Sequence, residues 1–232
     1  MRHPIVVLWT APRTASTAFE RMMMERGDVT VFHEPFSVRY YFGATKRSAR
    51  YDEVSDDGDP DAIVAALDAA ASQGPVFVKD MAYHVVGLVD DAFLERFVHS
   101  FLIRDPAWTV PSLAAIWPDF TDEEVGFDAL AALVDRVGDP VIVDSDDLRR
   151  DPAGVVEKWC GGVGLPFAPD ALSWPPGMRP EWGLWEEWHD EVAHSDGFAP
   201  SPDEPPPERS DPRVEAAYQR ARPVYEKLLS HG

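Results

Sequence analysis

Residues 4–24 read Pro-Ile-Val-Val-Leu-Trp-Thr-Ala-Pro-Arg-Thr-Ala-Ser-Thr-Ala-Phe-Glu-Arg-Met-Met-Met. The apolar run at 4–9 is typical of a buried parallel strand, because such strands are covered on both faces. Residues 18–24 predict a helix, and the turn between the two is rich in hydroxyls. A strand, a turn of small residues and a helix direct several backbone N–H groups and a helix dipole at one anion. The stretch therefore predicts a phosphate or sulfate site.

The turn also supplies side chains that suit an anion. Arg13 has a planar, permanently charged guanidinium, and Thr14, Ser16 and Thr17 have hydroxyl donors. A Walker A loop is excluded, because the GxxxxGK[ST] pattern requires a lysine that this turn lacks. The alternative is an ordinary turn from strand to helix in which a Thr or Ser side chain caps the helix.

Residues 12–17, Pro-Arg-Thr-Ala-Ser-Thr, resemble the 5′-phosphosulfate loop of sulfotransferases that use PAPS (3′-phosphoadenosine 5′-phosphosulfate). That loop reads roughly P-[RK]-[ST]-G-[ST]-[ST], so Ala15 stands where the family usually has glycine. We expect the alanine to tighten the approach of the loop to a phosphate. The resemblance implies cofactor contacts from Arg13, Thr14, Ala15, Ser16 and Thr17.

A second strand predicts a second basic contact. Residues 101–103 are a short apolar run, Arg104 follows at its carboxyl end, and Ser112 lies on the next predicted helix. An arginine and a serine at this separation resemble the 3′-phosphate motif of the same family, which implies that both bind the nucleotide. The alternatives are an ion pair between Arg104 and Asp105 and a serine on the helix surface.

Five short apolar runs alternate with predicted helices, which is typical of right-handed βαβ units and a parallel sheet. Residues 144–152 and 164–167 also resemble the family's late segment, with an acidic pair and leucine, Asp-Pro, and Gly-Leu-Pro-Phe. The resemblance therefore extends over roughly residues 4–170. It implies an α/β fold of three layers, in which a mainly parallel central sheet has helices on both faces, as in the P-loop NTPase-like sulfotransferase fold.

The resemblance implies transfer of a sulfuryl group from PAPS to a hydroxyl or amine of a small, partly apolar acceptor, with no metal. Negative charge builds on the leaving oxygen as the S–O bond loosens, so fixed cations there stabilise the transition state. Arg13 suits that role. Lys79, at the end of the strand at 76–78, matches a lysine that the family often has near the sulfuryl group. The alternative for Lys79 is a structural pair with Asp80.

A hydroxyl acceptor also needs a general base. Glu34 ranks first because it follows a short strand, at the edge of the sheet where ligands bind. His84 ranks second, because it lies a few residues later than the histidine that some sulfotransferases use. His33 ranks third, because strand alternation would point it to the other face. The alternative for Glu34 is an ion pair with Arg13 or Arg39 that only shapes the cleft.

Charge is unevenly distributed along the 232 residues. The formal net charge is −20, yet residues 1–50 contain 8 Lys and Arg against 4 Asp and Glu, a local balance of +4. A positive cleft on an acidic body concentrates an anionic ligand, whereas the acidic surface repels nucleic acid. The sequence therefore predicts a small-molecule partner and no nucleic acid.

Other features bound the class of protein. No apolar run approaches the roughly 18 residues of a membrane span, and no cleavage-site pattern is present, so we expect no membrane association and a cytoplasmic protein. The single cysteine, Cys160, excludes an internal disulfide framework and a Cys-rich metal site. Its apolar helical context predicts an inert core thiol.

The composition changes after residue 170. Residues 1–199 form the predicted α/β domain, 200–212 a proline-rich connector, and 213–232 an amphipathic helix that Pro223 should kink or split. We expect this helix to dock on the body or on a second subunit, which would make a homodimer.

An aromatic cluster within residues 170–199 has two interpretations. Trp182, Trp185 and His189 have helical spacing, which predicts a helix packed on the core. The alternative is an aromatic wall for an acceptor. The full cluster comprises Trp174, Trp182, Trp185, Trp188 and Phe198 with Glu181, Glu186, Glu187, His189 and His194.

Two other functions remain open at this point. A kinase on the same scaffold would need the Walker lysine and a Ser or Thr that binds Mg²⁺, an arrangement that this sequence lacks. A binding protein that kept the fold but changed or lost its chemistry is compatible with Ala15 and the net charge.

Overall fold

The central sheet has five parallel strands in the order β2-β3-β1-β4-β5. The structure is a computed structural model that describes residues 2–202 and 204–231; the side chains of residues 184, 186 and 187 are outside that description. Positions 1, 203 and 232 of the predicted domains, and the Glu186 and Glu187 side chains, therefore lie outside the described residues. The strands are β1 Ile5–Thr10, β2 Thr30–His33, β3 Val76–Met81, β4 Val98–Ile103 and β5 Val141–Asp144.

Helices connect the strands and extend to the C-terminal part. The α-helices are α1 Ser16–Arg26, α2 Ser37–Phe42, α3 Pro60–Ala71, α4 Asp91–Leu94, α5 Pro106–Ile116, α6 Phe127–Val134, α7 Ser145–Arg150, α8 Pro152–Val163, α9 Asp190–Ala193 and α10 Pro212–Leu229. Short 3₁₀ segments are Asp56–Gly58, Ala82–Val85, Glu123–Val125, Pro169–Leu172 and Pro180–Trp188.

An Asp-Pro pair starts four of these helices. The aspartates Asp59, Asp105, Asp151 and Asp211 each precede a proline at the first helical position and accept a hydrogen bond from an amide of the first turn. Proline suits that position because its missing N–H would be unpaired there, and the carboxylate satisfies one of the free amides. The Asp-Pro pair thus determines locally where four helices begin, namely α3, α5, α8 and α10.

Alternate residues of β1 face opposite layers of the molecule. Val7 and Trp9 belong to one core with buried residues of α3, α5, α6 and α10. Val6 and Leu8 belong to a second core with buried residues of α1 and α8. Because period-two alternation in a strand fills both cores, β1 is buried along its whole length. This three-layer arrangement confirms the predicted α/β fold.

The connections change direction at β1, which lies between β3 and β4. Thr10, its last residue, is in register with Met81 of β3 and Leu102 of β4. In open parallel sheets such a switch point leaves a crevice at the carboxyl ends of the strands. The loop after β1 opens into that crevice.

Glycine 126 interrupts a helix that the sequence predicts from Thr121 to about Val137. Thr121 and Glu124 do form a reciprocal capping box, with Glu124 Oε2 accepting from the Thr121 amide at 2.8 Å. The chain then turns at Gly126, whose φ is +87°, before α6 begins. A Cβ atom there would lie 3.0 Å from the Cβ atom of Ala11. The break therefore lets α6 pack against the loop after β1.

The C-terminal helix differs from its prediction as well. It runs without interruption from Pro212 to Leu229, with Pro223 inside it, so a split at Pro223 is wrong. Pro223 is exposed, and its ring therefore meets solvent, not a packed neighbour. The helix packs on α5 and α6, and the hydroxyl of Tyr225 donates to Asp144 Oδ2 at 2.8 Å.

Two remaining sequence expectations concern single features. Cys160 is buried in the second core, where burial raises the pKa of its thiol against the opposing effect of Arg26. Within the described ranges, the structure contains no helix that combines the length and apolar character of a membrane span.

Replacing Pro223 by Ala should raise the free energy of unfolding by roughly 1–3 kcal/mol, because an interior proline lacks the i→i−4 hydrogen bond. Urea denaturation followed by circular dichroism measures this change. Pro212→Ala is the matched control in the same helix; at the first helical position it should give no gain. Equal effects of both substitutions would contradict the prediction.

Candidate active site

A pocket opens at the carboxyl edge of the sheet, beside the loop after β1. One group of lining residues, the basic wall, consists of Arg13, Arg104 and Arg149 with the first turn of α1. A second group, the aromatic wall, consists of Tyr41, Tyr83, Trp117, Trp185 and Trp188. Titratable groups complete the lining, namely Glu34, Lys79, His84, His189 and Glu191.

The loop after β1 has a strained backbone. Arg13 and Ala15 have φ values of +66° and +67°, in the left-handed region that costs roughly 1–2 kcal/mol for a residue with a side chain. Ala15 directly precedes α1, whose first amides lack intrahelical partners, and Ser16 and Thr17 line the pocket. The N-terminus of α1 can therefore bind an anion there. The loop pattern usually has glycine where this chain has Ala15, and the left-handed backbone at Ala15 explains that preference. A tighter approach of the loop to a phosphate stays a prediction.

Arg13 is held by a serine and a glutamate. Its Nε donates to Ser112 Oγ at 2.8 Å, and its Nη2 lies 3.8 Å from Glu191 Oε2. Burial lowers the pKa of Arg13; Glu191 opposes this shift and Arg149 adds to it. Arg13 lines the pocket whereas Ser112 does not. Ser112 thus supports Arg13 in this structure, and the predicted contact of Ser112 with the nucleotide stays a prediction.

Arg104 and Arg149 complete the basic wall. Arg104 Nη1 donates to the carbonyl oxygen of Arg13 at 3.2 Å, and Arg149 Nη1 donates to those of Ala199 and Pro200 at 3.4 and 3.2 Å. Burial, followed by the charge of Arg149, lowers the pKa of Arg104 to about 10. Both Nε atoms are buried without a hydrogen-bond partner in the described part of the chain. The positive charge of this cluster suits an anionic ligand.

The hydroxyl of Thr14 is used inside the loop. It donates to the carbonyl oxygen of Ala11 at 3.0 Å and contacts the hydroxyl of Thr10, and the hydroxyl of Ser145 donates to the carbonyl of Thr14 at 2.8 Å. Contact between Thr14 and an anion therefore stays a prediction. Residues 16–17 keep their place in the pocket lining.

A buried ion pair joins β3 to the end of β2. Lys79 is fully buried, and its Nζ donates to Glu34 Oε1. Burial would lower the pKa of Lys79, but Glu34 and then Glu20 raise it above the usual value. Burial would raise the pKa of Glu34, but Lys79 lowers it well below the usual range. Both groups are therefore charged, and Glu34 is a weak proton acceptor.

The ion pairs that the sequence offers as alternatives are different ones. Glu34 is bound by Lys79, not by Arg13 or Arg39, and Lys79 is bound by Glu34, not by Asp80. Asp105 Oδ2 accepts from Arg222 Nη1 at 2.6 Å, which leaves Arg104 to the pocket.

His84 has the geometry of a general base. Its Nδ1 lies 2.6 Å from Asp80 Oδ1, and Asp80 is itself fixed by the amides of Phe36 and Met81, each at 2.8 Å. A carboxylate acceptor places the proton on Nδ1, so Nε2 carries the lone pair. That Nε2 is buried and has no partner among residues 2–202 and 204–231, and His84 lines the pocket. The geometry favours His84 over Glu34, the reverse of the sequence ranking.

The aromatic wall is fixed by polar contacts. Trp185 Nε1 donates to Ser37 Oγ at 3.1 Å, and the hydroxyls of Tyr41 and Tyr83 lie 3.1 Å apart. The segment Pro180–Trp188 is a 3₁₀ segment with a kink at Gly183 and Trp185, where the spacing predicts a regular helix. The kink turns Trp185 and Trp188 to the pocket, whereas Trp182 is fully buried.

A chain of hydrogen bonds leads from the loop into the core. His189 Nδ1 lies 3.2 Å from Thr17 Oγ1, and His189 Nε2 lies 3.2 Å from His33 Nε2. His33 Nδ1 lies 2.8 Å from Glu20 Oε2. His33 thus meets a pocket-lining residue, because the backbone turns at Glu34, where φ is +41°, and does not continue as a strand. In the ranges 2–202 and 204–231, no group of three or more His, Cys, Asp or Glu is arranged to hold a metal ion.

Comparison with known proteins identifies the family. The chain matches the family model described as Sulfotransferase domain over residues 4–231. The chain belongs to the sulfotransferase domain family. The loop after β1, the basic wall and the aromatic wall all lie within the matched range.

Solved structures share the fold. The sulfotransferase domain from the Synechococcus PCC 7002 olefin synthase has a TM-score of 0.57 at 14% identity, with 95% of each chain covered. Sulfotransferase STF9 from Mycobacterium avium has a TM-score of 0.53 at 15% identity, with 100% of this chain and 77% of that chain covered.

Curated relatives are longer proteins. Branched-chain-amino-acid aminotransferase-like protein 2 of Arabidopsis thaliana is 29% identical over 216 residues, which cover 84% of this chain and 36% of that protein. The related protein 1 is 28% identical over 254 residues, which cover 100% of this chain and 43% of that protein. The sulfotransferase domain thus spans less than half the length of the curated relatives that it matches.

Three site residues of this sulfotransferase domain are not assigned a site role by the sequence. Arg149 lies in the sequence Leu-Arg-Arg shortly after β5, and a basic residue that follows a strand end is the sequence signal that could have indicated its place in the pocket. Asp80 lies four residues before His84, a spacing that brings the two together in a turn. His189 is predicted only as part of an aromatic helix face.

Ala15→Gly should raise the free energy of unfolding by roughly 0.5–1 kcal/mol, because relief of the left-handed strain exceeds the entropy that glycine loses on folding. Urea denaturation measures the change. Ala66→Gly, at an exposed interior position of α3, is the matched control and should lose about 1 kcal/mol. A loss at both positions would contradict the strain at Ala15.

Proposed function

We propose that this sulfotransferase domain transfers a sulfuryl group from PAPS to a hydroxyl or amine of a small, partly apolar acceptor. The observation that carries the proposal is the basic wall, in which three arginines and the N-terminus of α1 meet beside an aromatic wall and a pocket-lining histidine, His84, whose buried Nε2 has no partner among the described residues. An anionic donor and an apolar acceptor need these two kinds of surface side by side.

The residues present fit the nucleotide. Arg104 and Arg149 each have a buried Nε without a partner in the part of the chain that is described. Burial, with the charge of Arg149 adding to it, lowers the pKa of Arg13 and Arg104. A phosphate would offer acceptors to these donors and offset the mutual repulsion of the three positive charges. Arg13, the first amides of α1 and the hydroxyls of residues 16–17 would hold the 5′-phosphosulfate. Arg104 and Arg149 would hold the 3′-phosphate.

When bound, PAPS supplies an activated sulfuryl group. Arg13 stabilises negative charge on the leaving oxygen, because its fork is already held in place by Ser112 and needs little reorganisation. Lys79, neutralised by Glu34, positions the carboxylate and adds a fixed dipole at the edge of the pocket. The aromatic wall orients the acceptor and excludes water.

The acceptor loses a proton to His84 Nε2. Asp80 holds the imidazole in the required tautomer and stabilises the imidazolium that forms. Burial raises the pKa of Asp80, and the hydrogen bond from His84 opposes that shift. Glu34 contributes by fixing Lys79.

Binding of PAP, the desulfated nucleotide, tests the site. PAP at about 100 times its dissociation constant should stabilise the fold by about 2.7 kcal/mol, a rise in Tm of roughly 5–10 °C in a thermal-shift measurement. Arg104→Ala and Arg149→Ala should each weaken binding roughly ten- to a hundredfold by calorimetry, because each removes a charge-assisted contact.

Arg150→Ala is the matched control. Arg150 is exposed and pairs with Asp147, so its loss should leave the affinity for PAP unchanged. Stabilisation by ATP with Mg²⁺ but not by PAP would indicate a kinase. Binding of neither nucleotide would indicate a scaffold whose chemistry has changed.

Turnover separates the two base candidates. His84→Gln should lower the rate of transfer from PAPS to a phenol or alcohol acceptor roughly 10²–10⁴-fold while PAP binding survives. Glu34→Gln should mainly lower stability, by roughly 3–5 kcal/mol, because it leaves Lys79 charged and buried without its partner. A folded Glu34→Gln variant without activity, together with an active His84→Gln variant, would restore Glu34 as the base.

A further inference from the structure

Four side chains form a continuous relay, of which the proposed reaction uses only the first, Thr17. It runs from Thr17 in the pocket through His189 and His33 to Glu20, with heavy-atom distances of 3.2, 3.2 and 2.8 Å. The Glu20 side chain is fully buried and that of His33 is 3% exposed. Three hydrogen bonds join the four groups, and each bond needs one donated proton. The number of protons in the relay can therefore be counted for each direction of donation.

The first state of the relay has the Thr17 hydroxyl donating inward. An ionised Glu20 accepts from His33 Nδ1, so a neutral His33 presents the lone pair of Nε2. His189 then donates from Nε2 and accepts at Nδ1. The partner of Nδ1 is the hydroxyl of Thr17, which therefore supplies the proton of this bond and leaves its oxygen lone pairs facing the pocket. This state repels an anion.

The second state has the Thr17 hydroxyl donating to the pocket. The hydroxyl proton then belongs to the anion contact, so His189 must donate to Thr17 from Nδ1 and accept at Nε2. His33 must donate from Nε2, and the bond to Glu20 needs a proton of its own. The second state therefore contains one more proton than the first, whether that proton belongs to His33 or to Glu20.

We propose that the relay couples nucleotide binding to the uptake of one proton, by reversing the hydrogen bond between Thr17 and His189. The proposal rests on the proposed function, in which Thr17 contacts a phosphate or sulfuryl oxygen. His189, His33 and Glu20 are positioning residues, because they act on the nucleotide through Thr17.

The surroundings of the relay determine where the extra proton lies. The charged groups around it are Glu20 on α1, Glu34 after β2, Lys79 on β3 and Arg13 in the loop. Burial, then Lys79 and His33, lower the pKa of His189 to about 2. His189 therefore stays neutral and changes only its tautomer, and the proton lies on His33 or Glu20.

The sign of the pH dependence follows. The bound state holds the extra proton more tightly than the free state does. Affinity is therefore highest where the relay is already protonated in the free protein, and it falls as the pH rises until the bound relay also loses the proton.

Calorimetry in buffers of different ionisation enthalpy measures proton uptake on PAP binding. Across a series of pH values the wild type should take up more protons than Glu20→Gln, up to one per PAP where the free relay lacks the proton and the bound relay holds it. The amide of glutamine either donates to or accepts from His33, so this variant can reverse the relay without a proton. Since the nucleotide is the same in both titrations, its own protonation cancels.

His194→Gln is the control, because His194 is an exposed histidine outside the relay and should leave proton uptake unchanged. Equal uptake by the wild type and a folded Glu20→Gln variant would overturn the relay. ¹⁵N chemical shifts of the wild-type imidazoles give a second measurement, in which His189 should change from Nε2–H to Nδ1–H when PAP binds. The same tautomer in both states would also overturn it.

Failure of the proposed function gives a different result. The wild type would then show no binding of PAP in any buffer. The relay would still be tested by imidazole shifts of the free protein, where His189 should change tautomer as the pH is lowered from about 8. A tautomer that is independent of pH would overturn the relay in that case.

Discussion

Lys79 is a charged group with no access to solvent, and much of the pocket follows from that constraint. A buried ammonium needs an anion in direct contact, which brings Glu34 to the end of β3. Glu34 reaches it with a left-handed backbone that ends β2, and its carbonyl accepts from the amide and hydroxyl of Ser37. The same hydroxyl accepts from Trp185. The ion pair thus determines where β2 ends, where α2 begins and where the aromatic wall is attached.

The basic wall depends on other elements and on a different principle. Its arginines come from the loop after β1, the end of β4 and α7, which meet because neighbouring parallel strands end at one edge. Each guanidinium is held by neutral groups, namely a serine hydroxyl or backbone carbonyls, with Glu191 as a distant and exposed exception. Neutral support keeps the charges available for a ligand, in contrast to Lys79, whose charge is neutralised within the protein.

The fold, and the presence of Arg13 and Arg104 in the pocket lining, are the parts that the sequence predicts well. Apolar runs and Asp-Pro starts are local signals, and the loop residues and Arg104 follow strand ends directly. The hydrogen-bond and ion-pair partners within the site are harder to predict from the sequence. The contact between Asp80 and His84 depends on a 3₁₀ turn at Ala82–Val85, which brings the two side chains together. That turn is not predicted from the sequence, which instead offers Asp80 as a partner of Lys79. His189 is further beyond reach, since its contact with Thr17 joins positions 172 residues apart. The inner hydroxyl bond of Thr14 and the support of Arg13 by Ser112 likewise depend on tertiary packing.

The mutual repulsion of Arg13, Arg104 and Arg149 also makes this protein sensitive to the medium in which it is kept. Three partly buried cations beside one another are most destabilising at low ionic strength, where the Debye length is long and few counterions enter the pocket. Sulfate or phosphate in a storage buffer would neutralise them and compete with a nucleotide for the same donors. Chloride would do so more weakly. The choice of buffer anion thus affects both the free energy of unfolding of the free protein and the apparent affinity for a nucleotide in a binding measurement.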